Sequence, residues 1–439
     1  MSQSKLSLFV IFVIWPSLSF GICPNLDAYQ LPGQIDGDLA ERRLKEVFDQ
    51  CLLSSEYFSL LGSAQLSNGR LSEALDSLER ALLLNPDNGA ALIDYSEALL
   101  RDGQLFAALE INKSLLSRHD APPGLGQQLE QRQRDWESLI RETNWRLDFS
   151  GGYDDNLNGS PDEETIALTL SGEPIFLKLN EDYQAVSGPL INTRIMMQHR
   201  RLAPEHQDNL TALVRGRLSD DPNSDVVQLS GSFSRTLTNK LSAVQVGAGA
   251  SHLLFGGQSL FSGADLRYRH QIGRLLGCGA FLGAALQHQT WHQQKRLDGL
   301  EAKASAGTNC NLSSWMPARL VLETSLLHNS AMKEDRLGGD RVGWQVSAEF
   351  QLRLGNGAMT AQILHTDLLD RTGFSPLLAD NARRGIRRTS ALLQYREPIN
   401  WLGTGANFIA NLYHQGQHSN LVLFETTDTS FEIGFSWEF

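Results

Sequence analysis

Two hydrophobic rhythms divide this chain. From Glu56 to about Pro122, apolar and small positions recur at helical spacing inside a longer period of 34 residues, so that Gly69 returns as Gly103 and Ala74 as Ala108. From Trp145 onward the period falls to two, the spacing of strands with one apolar and one polar face. The clearest runs are Val227 to Leu237, Leu241 to Leu254, Phe281 to His292, Leu320 to Leu327, Val342 to Leu354, Ala358 to Leu369, Thr389 to Glu397 and Asn407 to His414. Counting all such runs predicts about 14 antiparallel strands, an even number that suits a closed barrel. Two short runs, Ile166 to Leu170 and Ile175 to Leu179, predict an extra hairpin in a surface loop or in the lumen.

The C-terminus says what surrounds the barrel. Phe431, Ile433, Phe435, Trp437 and Phe439 share one strand face, which suits lipid, while Glu432, Ser436 and Glu438 share the other, which suits a polar lumen. Short connections such as Thr238-Asn239-Lys240 and Leu354-Gly355-Asn356-Gly357 alternate with long ones such as Asn329 to Asp340 and Asp370 to Arg384, the rhythm of outer-membrane barrels. At the other end, Lys5, the apolar run Leu6 to Trp15 and the segment Ser19-Phe20-Gly21 predict an export signal over residues 1–21. Beyond it no run of about 18 apolar residues occurs, so strands rather than helices must take the chain through a bilayer.

The first copy of the helical period places Phe58, Leu61, Gly62, Gly69, Ala74, Leu78, Ala81 and Pro86 at the spacings of a tetratricopeptide repeat. Gly62 and Ala74 let paired helices approach, Gly69 serves the turn and Pro86 stops the second helix. The second copy keeps Leu92, Tyr95, Leu99, Gly103 and Ala108, has Asp120 in the place of the proline, and ends late at Pro122 and Pro123. Repeats over about 55–88 and 89–122, capped by helices over about Asp38 to Leu53 and Leu125 to Arg141, make a short stack. Gln65, Tyr95 and Leu99 are the candidate client-binding residues on its concave face, although Tyr95 and Leu99 also suit packing within a repeat. The expected architecture is therefore α+β and multidomain: a signal peptide, a periplasmic repeat domain over 22–143, and an outer-membrane barrel over 144–439 of a Gram-negative bacterium.

Charge and chemistry narrow the function. A formal net charge of −12 argues against a standing role in gripping nucleic acid or an anionic membrane surface. Cys23 and Cys51 fall in one half, Cys278 and Cys310 in the other, and export permits disulfides; the second pair stands to face across a hairpin whose turn lies around Lys295 to Gly299. The chain has no Gly-x-Ser-x-Gly or His-Glu-x-x-His motif, and His252, His270, His288, His292, His328, His365, His414 and His418 form no constellation. They are read as loop or lumen residues, and neither an enzyme nor a cofactor is expected. Asp154, Asn156, Asn158 and Gly159 start like a calcium loop, but its closing position holds Thr165, which favours a polar strand end bonded to its own turn. Arg387, Arg388 and Arg396, with Arg383 and Arg384 just before them, are the densest basic group, suited to lining the lumen or meeting lipopolysaccharide phosphates.

The repeats, followed by Phe149-Ser150-Gly151-Gly152-Tyr153-Asp154-Asp155-Asn156-Leu157-Asn158 at the start of the barrel, resemble the surface lipoprotein assembly modulator family. That resemblance implies periplasmic repeats that deliver a protein client, a surface lipoprotein or secreted protein, to a barrel of about 14 strands. It also implies contact with outer-membrane lipid and lipopolysaccharide, and with the barrel-assembly machinery during biogenesis. Exopolysaccharide exporters share the plan with more repeats, and are the alternative.

Overall fold

Ser54 and Asn88, 34 residues apart, each cap a helix. Their side-chain oxygens accept from the backbone N–H of Tyr57 and of Ala91, both at 3.1 Å. The same period governs helix ends. Gly69 and Gly103 take the left-handed conformation at φ 74° and 84°, and the next N–H groups, of Arg70 and Gln104, return to the carbonyls of Gln65 and Leu99 at 2.9 and 2.8 Å. These signals set α1 (Gly37–Glu46), α2 (Ser55–Ser67), α3 (Leu71–Leu84), α4 (Gly89–Arg101), α5 (Leu105–Leu116) and α6 (Leu125–Ser138) in a computed structural model that describes residues 23–27, 36–119, 122, 124–170, 173–238, 242–275, 278–312 and 317–439. The expected export signal, Asp120 and Pro123 lie outside these residues.

The pairs α2/α3 and α4/α5 are the two repeats, with Pro86 in the turn between them. Ala74, Leu78 and Ala81 of α3 are wholly buried in one core with Tyr57, Phe58 and Leu61 of α2, and Ala108 is buried in α5. A Cβ on Gly62 would stand 2.5 Å from Leu78 Cγ. Gly62→Val therefore costs about 1–3 kcal/mol of repeat stability. A thermal melt of the full chain followed by its helical circular dichroism checks this, and an unchanged midpoint would refute it. The Cys23–Cys51 disulfide ties the segment before α1 to the turn before α2.

The chain divides into two compact units between Leu139 and Ile140. The last helix stops at Ser138, short of the expected Arg141, because Arg141 to Asn144 already pair with Arg201 to Gln198. The strands are β1 (Arg141–Asp154), β2 (Thr165–Leu170), β3 (Glu173–Lys178), β4 (Gly188–Leu202), β5 (His206–Ser219), β6 (Val226–Thr238), β7 (Ala243–Phe255), β8 (Gln258–Leu275), β9 (Cys278–Trp291), β10 (Gly299–Asn311), β11 (Ala318–Ala331), β12 (Arg341–Leu354), β13 (Gly357–Asp370), β14 (Gly385–Pro398), β15 (Ala406–Ser419) and β16 (Thr426–Glu438). β1 pairs with both β4 and β16, which closes an antiparallel barrel of 14 strands; β2 and β3 form a separate hairpin.

Arg141 and Phe439 lie at the same rim, here called proximal. Long connections, including 155–187 and 371–384, cluster at the distal rim, although the distal turn Gly256-Gly257 is short and the proximal connection 399–405 is long. The extra hairpin belongs to the distal loops, where Thr169 N–H donates to Leu377 O at 2.9 Å. Phe149, Phe431 and Ile433 are exposed on the outer face, whereas Ser150, Ser430 and Ser436 are buried on the inner one. Cys278 and Cys310 are joined across β9 and β10 at the proximal rim.

Candidate functional site

The inner face of the barrel holds a polar cavity of about 590 Å³. Alternation along each strand supplies its charges and, from neighbouring strands, opposes them. On the wall made by β16 and β1, Glu432 accepts from Ser150 Oγ at 2.8 Å and from Asn192 Nδ2 at 2.6 Å, and Asp148 accepts from Arg146 Nε at 2.7 Å. On the wall made by β4 and β5, Arg194 lies 3.6 Å from Asp148, and Arg217 bonds Asp154 at 3.2 Å. Neutral amides and a phenol, Gln362, Gln394, Asn411 and Tyr413, complete the lining. A second cavity of about 330 Å³ lies against β6 to β11, where Glu323 pairs with Arg269 at 2.9 Å and with Lys303 at 3.1 Å, and Arg269 stacks 3.9 Å from the Phe281 ring centroid. Both cavities suit a hydrated, polar passenger.

The join between the first and last strands is the other distinctive region. β1 pairs with β16 from Arg146↔Glu438 to Asp154↔Ser430, a shorter ladder than the one it forms with β4, from Arg141↔Arg201 to Asp154↔Gly188. Trp145 and Phe439 exchange backbone bonds of 2.7 and 3.0 Å at its proximal end. Tyr153 and Phe149 face outward with the C-terminal Phe431, Ile433, Phe435, Trp437 and Phe439. Distally, the opening motif works as a fastener. Asp155 Oδ1 accepts from Thr429 N–H at 2.6 Å, Asn156 Nδ2 donates to Thr427 O and Ser160 O at 2.9 Å, and Asn158 Nδ2 donates to Gln184 O at 2.7 Å.

Asn156 Oδ1 accepts from Ser160 N–H at 2.9 Å and Asn158 Oδ1 from Val186 N–H at 3.2 Å, so the calcium-loop spacing does not assemble its own ligands. Only Asp154 of that pattern joins a carboxylate group, with Asp155 and Asp428 within 4.8 Å, and Arg217 already partners it. The basic group is also split. Arg387 points outward to Asp367 at 3.4 Å, Arg388 points inward to Gln417 Oε1 at 2.8 Å, and Arg396 points inward to Glu438. Eight positions along a strand separate Arg388 from Arg396 by about 26 Å. Arg384 is buried between the rings of Phe374 and Phe424, 4.4 and 4.5 Å from their centroids, and bonds Asp370. The strand histidines His252, His270, His288, His328, His365, His414 and His418 face outward, not into the lumen, because each shares parity with exposed apolar residues of its own strand.

In the helical unit, Gln65 and Leu99 are core residues. Gln65 Oε1 accepts from Ser77 Oγ at 2.7 Å, and Leu99 is 4% exposed. Tyr95 is half-buried and donates to Glu79 at 2.9 Å; burial, with that bond, pushes its phenol up to about 12. What sequence reasoning missed is a polar stripe of Asp94, Glu97 and Arg101 on α4 beside Arg132 of α6, with Arg101 bonded to Glu97 at 3.0 Å. Burial raises the Asp94 carboxyl, against a bond from Ser63 and the charge of Arg132. Their spacing of three and four residues was the available signal.

Residues 65–126 match the family model of the tetratricopeptide repeat. No curated protein matches the sequence. Among solved structures, the type III secretion translocator chaperone SycD of Yersinia enterocolitica is similar at 15% identity, over 23% of this chain and 72% of that one, with a TM-score of 0.22. The outer membrane channel DcaP of Acinetobacter baumannii is similar at 7% identity, over 69% and 98%, with a TM-score of 0.37. An anion-selective porin from Comamonas acidovorans is similar at 12% identity, over 68% and 99%, with a TM-score of 0.34. At these scores none adds to the strand pairing already described.

Proposed function

We propose that this chain is an outer-membrane transport factor whose tetratricopeptide repeats hold a protein client, a surface lipoprotein or secreted protein, for passage at the barrel. The observation that carries the reading is the linker: α6 ends at Ser138 and β1 begins at Arg141, so a protein-binding repeat is tethered by two residues to the rim of a barrel with a polar interior. An outer surface of exposed apolar residues around that interior supports residence in a bilayer, and the export-signal pattern supports an outer membrane with the repeats in the periplasm. Lipopolysaccharide then surrounds the distal rim, and the aromatic C-terminal strand is what barrel-assembly machinery reads. The stripe of Asp94, Glu97, Arg101 and Arg132 is the client contact in this reading, and binding and passage, not catalysis, is the mechanism. Protease shaving of intact cells, with mass spectrometry of released and secreted proteins, tests it. Deletion should remove one or two specific surface or secreted proteins, and an unchanged protein profile would refute protein export.

A second reading, exopolysaccharide export, is favoured by one observation. Gln362, Gln394, Asn411 and Tyr413 give the larger cavity a neutral amide and hydroxyl lining suited to sugar hydroxyls. In that case deletion thins the extracellular matrix and leaves surface proteins intact.

A further inference from the structure

His252, His288, His328, His365 and His414 lie on the outer face of five ascending strands, β7, β9, β11, β13 and β15, three to five residues from their distal ends. Their positions are level. A path straight across the sheet from Gln198 on β4 climbs to Asp370 at the distal end of β13, so a belt at constant height must step back from strand to strand. The histidines do so. Straight across from His252 by way of Ser262 is Thr290, and His288 is two residues back; straight across from His288 by way of Leu300 is Ser330, and His328 is two back. The step to His365 is four residues and the step on to His414 is two.

This belt marks a chemical boundary. On β9, β11, β13 and β15 the outward residues immediately proximal to it are Leu286, Leu326, Ile363 and Leu412, all exposed, and those immediately distal are Thr290, Ser330, Asp367 and Gly416, while on β7 Ala250 and Leu254 flank His252. That is the height at which hydrocarbon gives way to headgroups around an embedded barrel. The residues directly opposite the five histidines are apolar or hydroxylic, and none is acidic. His365 Nδ1 is bonded to Thr389 Oγ1 at 2.8 Å, His414 Nδ1 to Thr429 Oγ1 at 3.0 Å and His252 Nδ1 to Ser262 Oγ at 2.8 Å. Other groups close by are Trp344 against His365, His292 against His252, the outward and internally matched Asp367–Arg387 pair two residues beyond His365, His418 four residues beyond His414, and Asp155 and Asp162, which accept from Thr429 and Thr427 beside His414. Protonated imidazoles in this belt thus have no acid directly opposite them in the sheet, and lipid phosphate outside the protein can supply their counter-charge.

We infer that the five histidines form a pH-dependent contact belt for the phosphate groups of lipids in the leaflet at the distal rim. A protonated imidazole is a cation that gathers phosphate headgroups, whereas a neutral one only hydrogen-bonds them. The inference rests on the membrane reading but not on which passenger the barrel carries.

The test uses the full chain in nanodiscs of phosphatidylcholine containing a minor fraction of spin-labelled phosphatidic acid, and measures lipid immobilised at the protein at about pH 5.5 and about pH 8. A variant with all five histidines changed to Gln is compared, with barrel folding confirmed by heat-modifiable gel mobility. The natural protein should enrich the anionic lipid on the order of fivefold more at the lower pH, since each cation near such a surface contributes about that factor. The variant should lose the pH dependence. Equal enrichment in the two proteins, or none in an inserted natural barrel, would overturn the belt while leaving the membrane reading in place. Failure of the folded natural barrel to enter the nanodisc would overturn that reading and the belt with it.

Discussion

Asp370→Ala should release the distal loop 371–384 while leaving the strand ladders formed. Asp370 is 2% exposed and receives Arg384 at 3.1 Å and Arg341 at 3.2 Å, with the equally buried Arg336 on the same rim. Removing the carboxylate leaves buried guanidinium groups without their counter-ion, a loss of about 3–5 kcal/mol. Arg384 also holds the Phe374 and Phe424 rings together, so the loss spreads from loop 371–384 to loop 420–425. Protease added to the outside of intact cells should cut the variant within 371–384 at least tenfold faster than the natural protein, while heat-modifiable mobility stays unchanged. Equal resistance would mean that the Phe374–Phe424 contact alone holds the loop.

Gly434→Val should prevent closure. A Cβ at Gly434 would lie 2.0 Å from Phe149 O, and one at Gly152 would lie 2.0 Å from Phe431 O, so the first and last strands approach too closely for side chains at both places. Backbone cannot give way here as a flexible side chain would, and an unpaired strand edge in lipid leaves several polar groups unsatisfied at a cost of several kcal/mol each. Folded barrel in the outer-membrane fraction should fall by more than about tenfold. Gly416→Val is the control, because nothing but the His414 ring comes within 4.0 Å of a Cβ there. Normal assembly of Gly434→Val would show that the strands can separate to admit a side chain.

The parts of this fold legible in the sequence were those that local pattern dictates. Period two in Phe431 to Phe439 gave the apolar outer face, and the 34-residue return of Gly69 as Gly103 gave the repeats, because one left-handed turn ends each A helix. Where long-range pairing decides, the pattern was silent. Arg141 read as the end of a polar helix and Glu142 and Thr143 as the end of the repeat domain, yet the ladder to β4 captured them. Arg387 and Arg388 were grouped because they are adjacent, although adjacency in a strand guarantees opposite faces. The same alternation, applied to Leu286 and His288 or to Leu412 and His414, would have moved the histidines from the lumen to the outside. Gln65 was read as a concave-face position of an A helix and Leu99 as one that also suits packing; both side chains are buried, and their carbonyls, 34 residues apart, each end a helix.

The closing ladder also sets the order of events in assembly. Ser150 and Glu432, bonded across it, are 282 residues apart in sequence, whereas every other joint of the barrel links neighbouring segments of the closed sheet. Contact order is thus concentrated in one place, and the entropy of bringing the chain's two barrel ends together is met only there. Until Thr426–Glu438 pairs with Arg141–Asp154, the sheet has two unpaired edges. The bonds from Asp155 and Asn156 to Thr429 and Thr427 fasten the distal end of that ladder, so their presence reports a closed barrel.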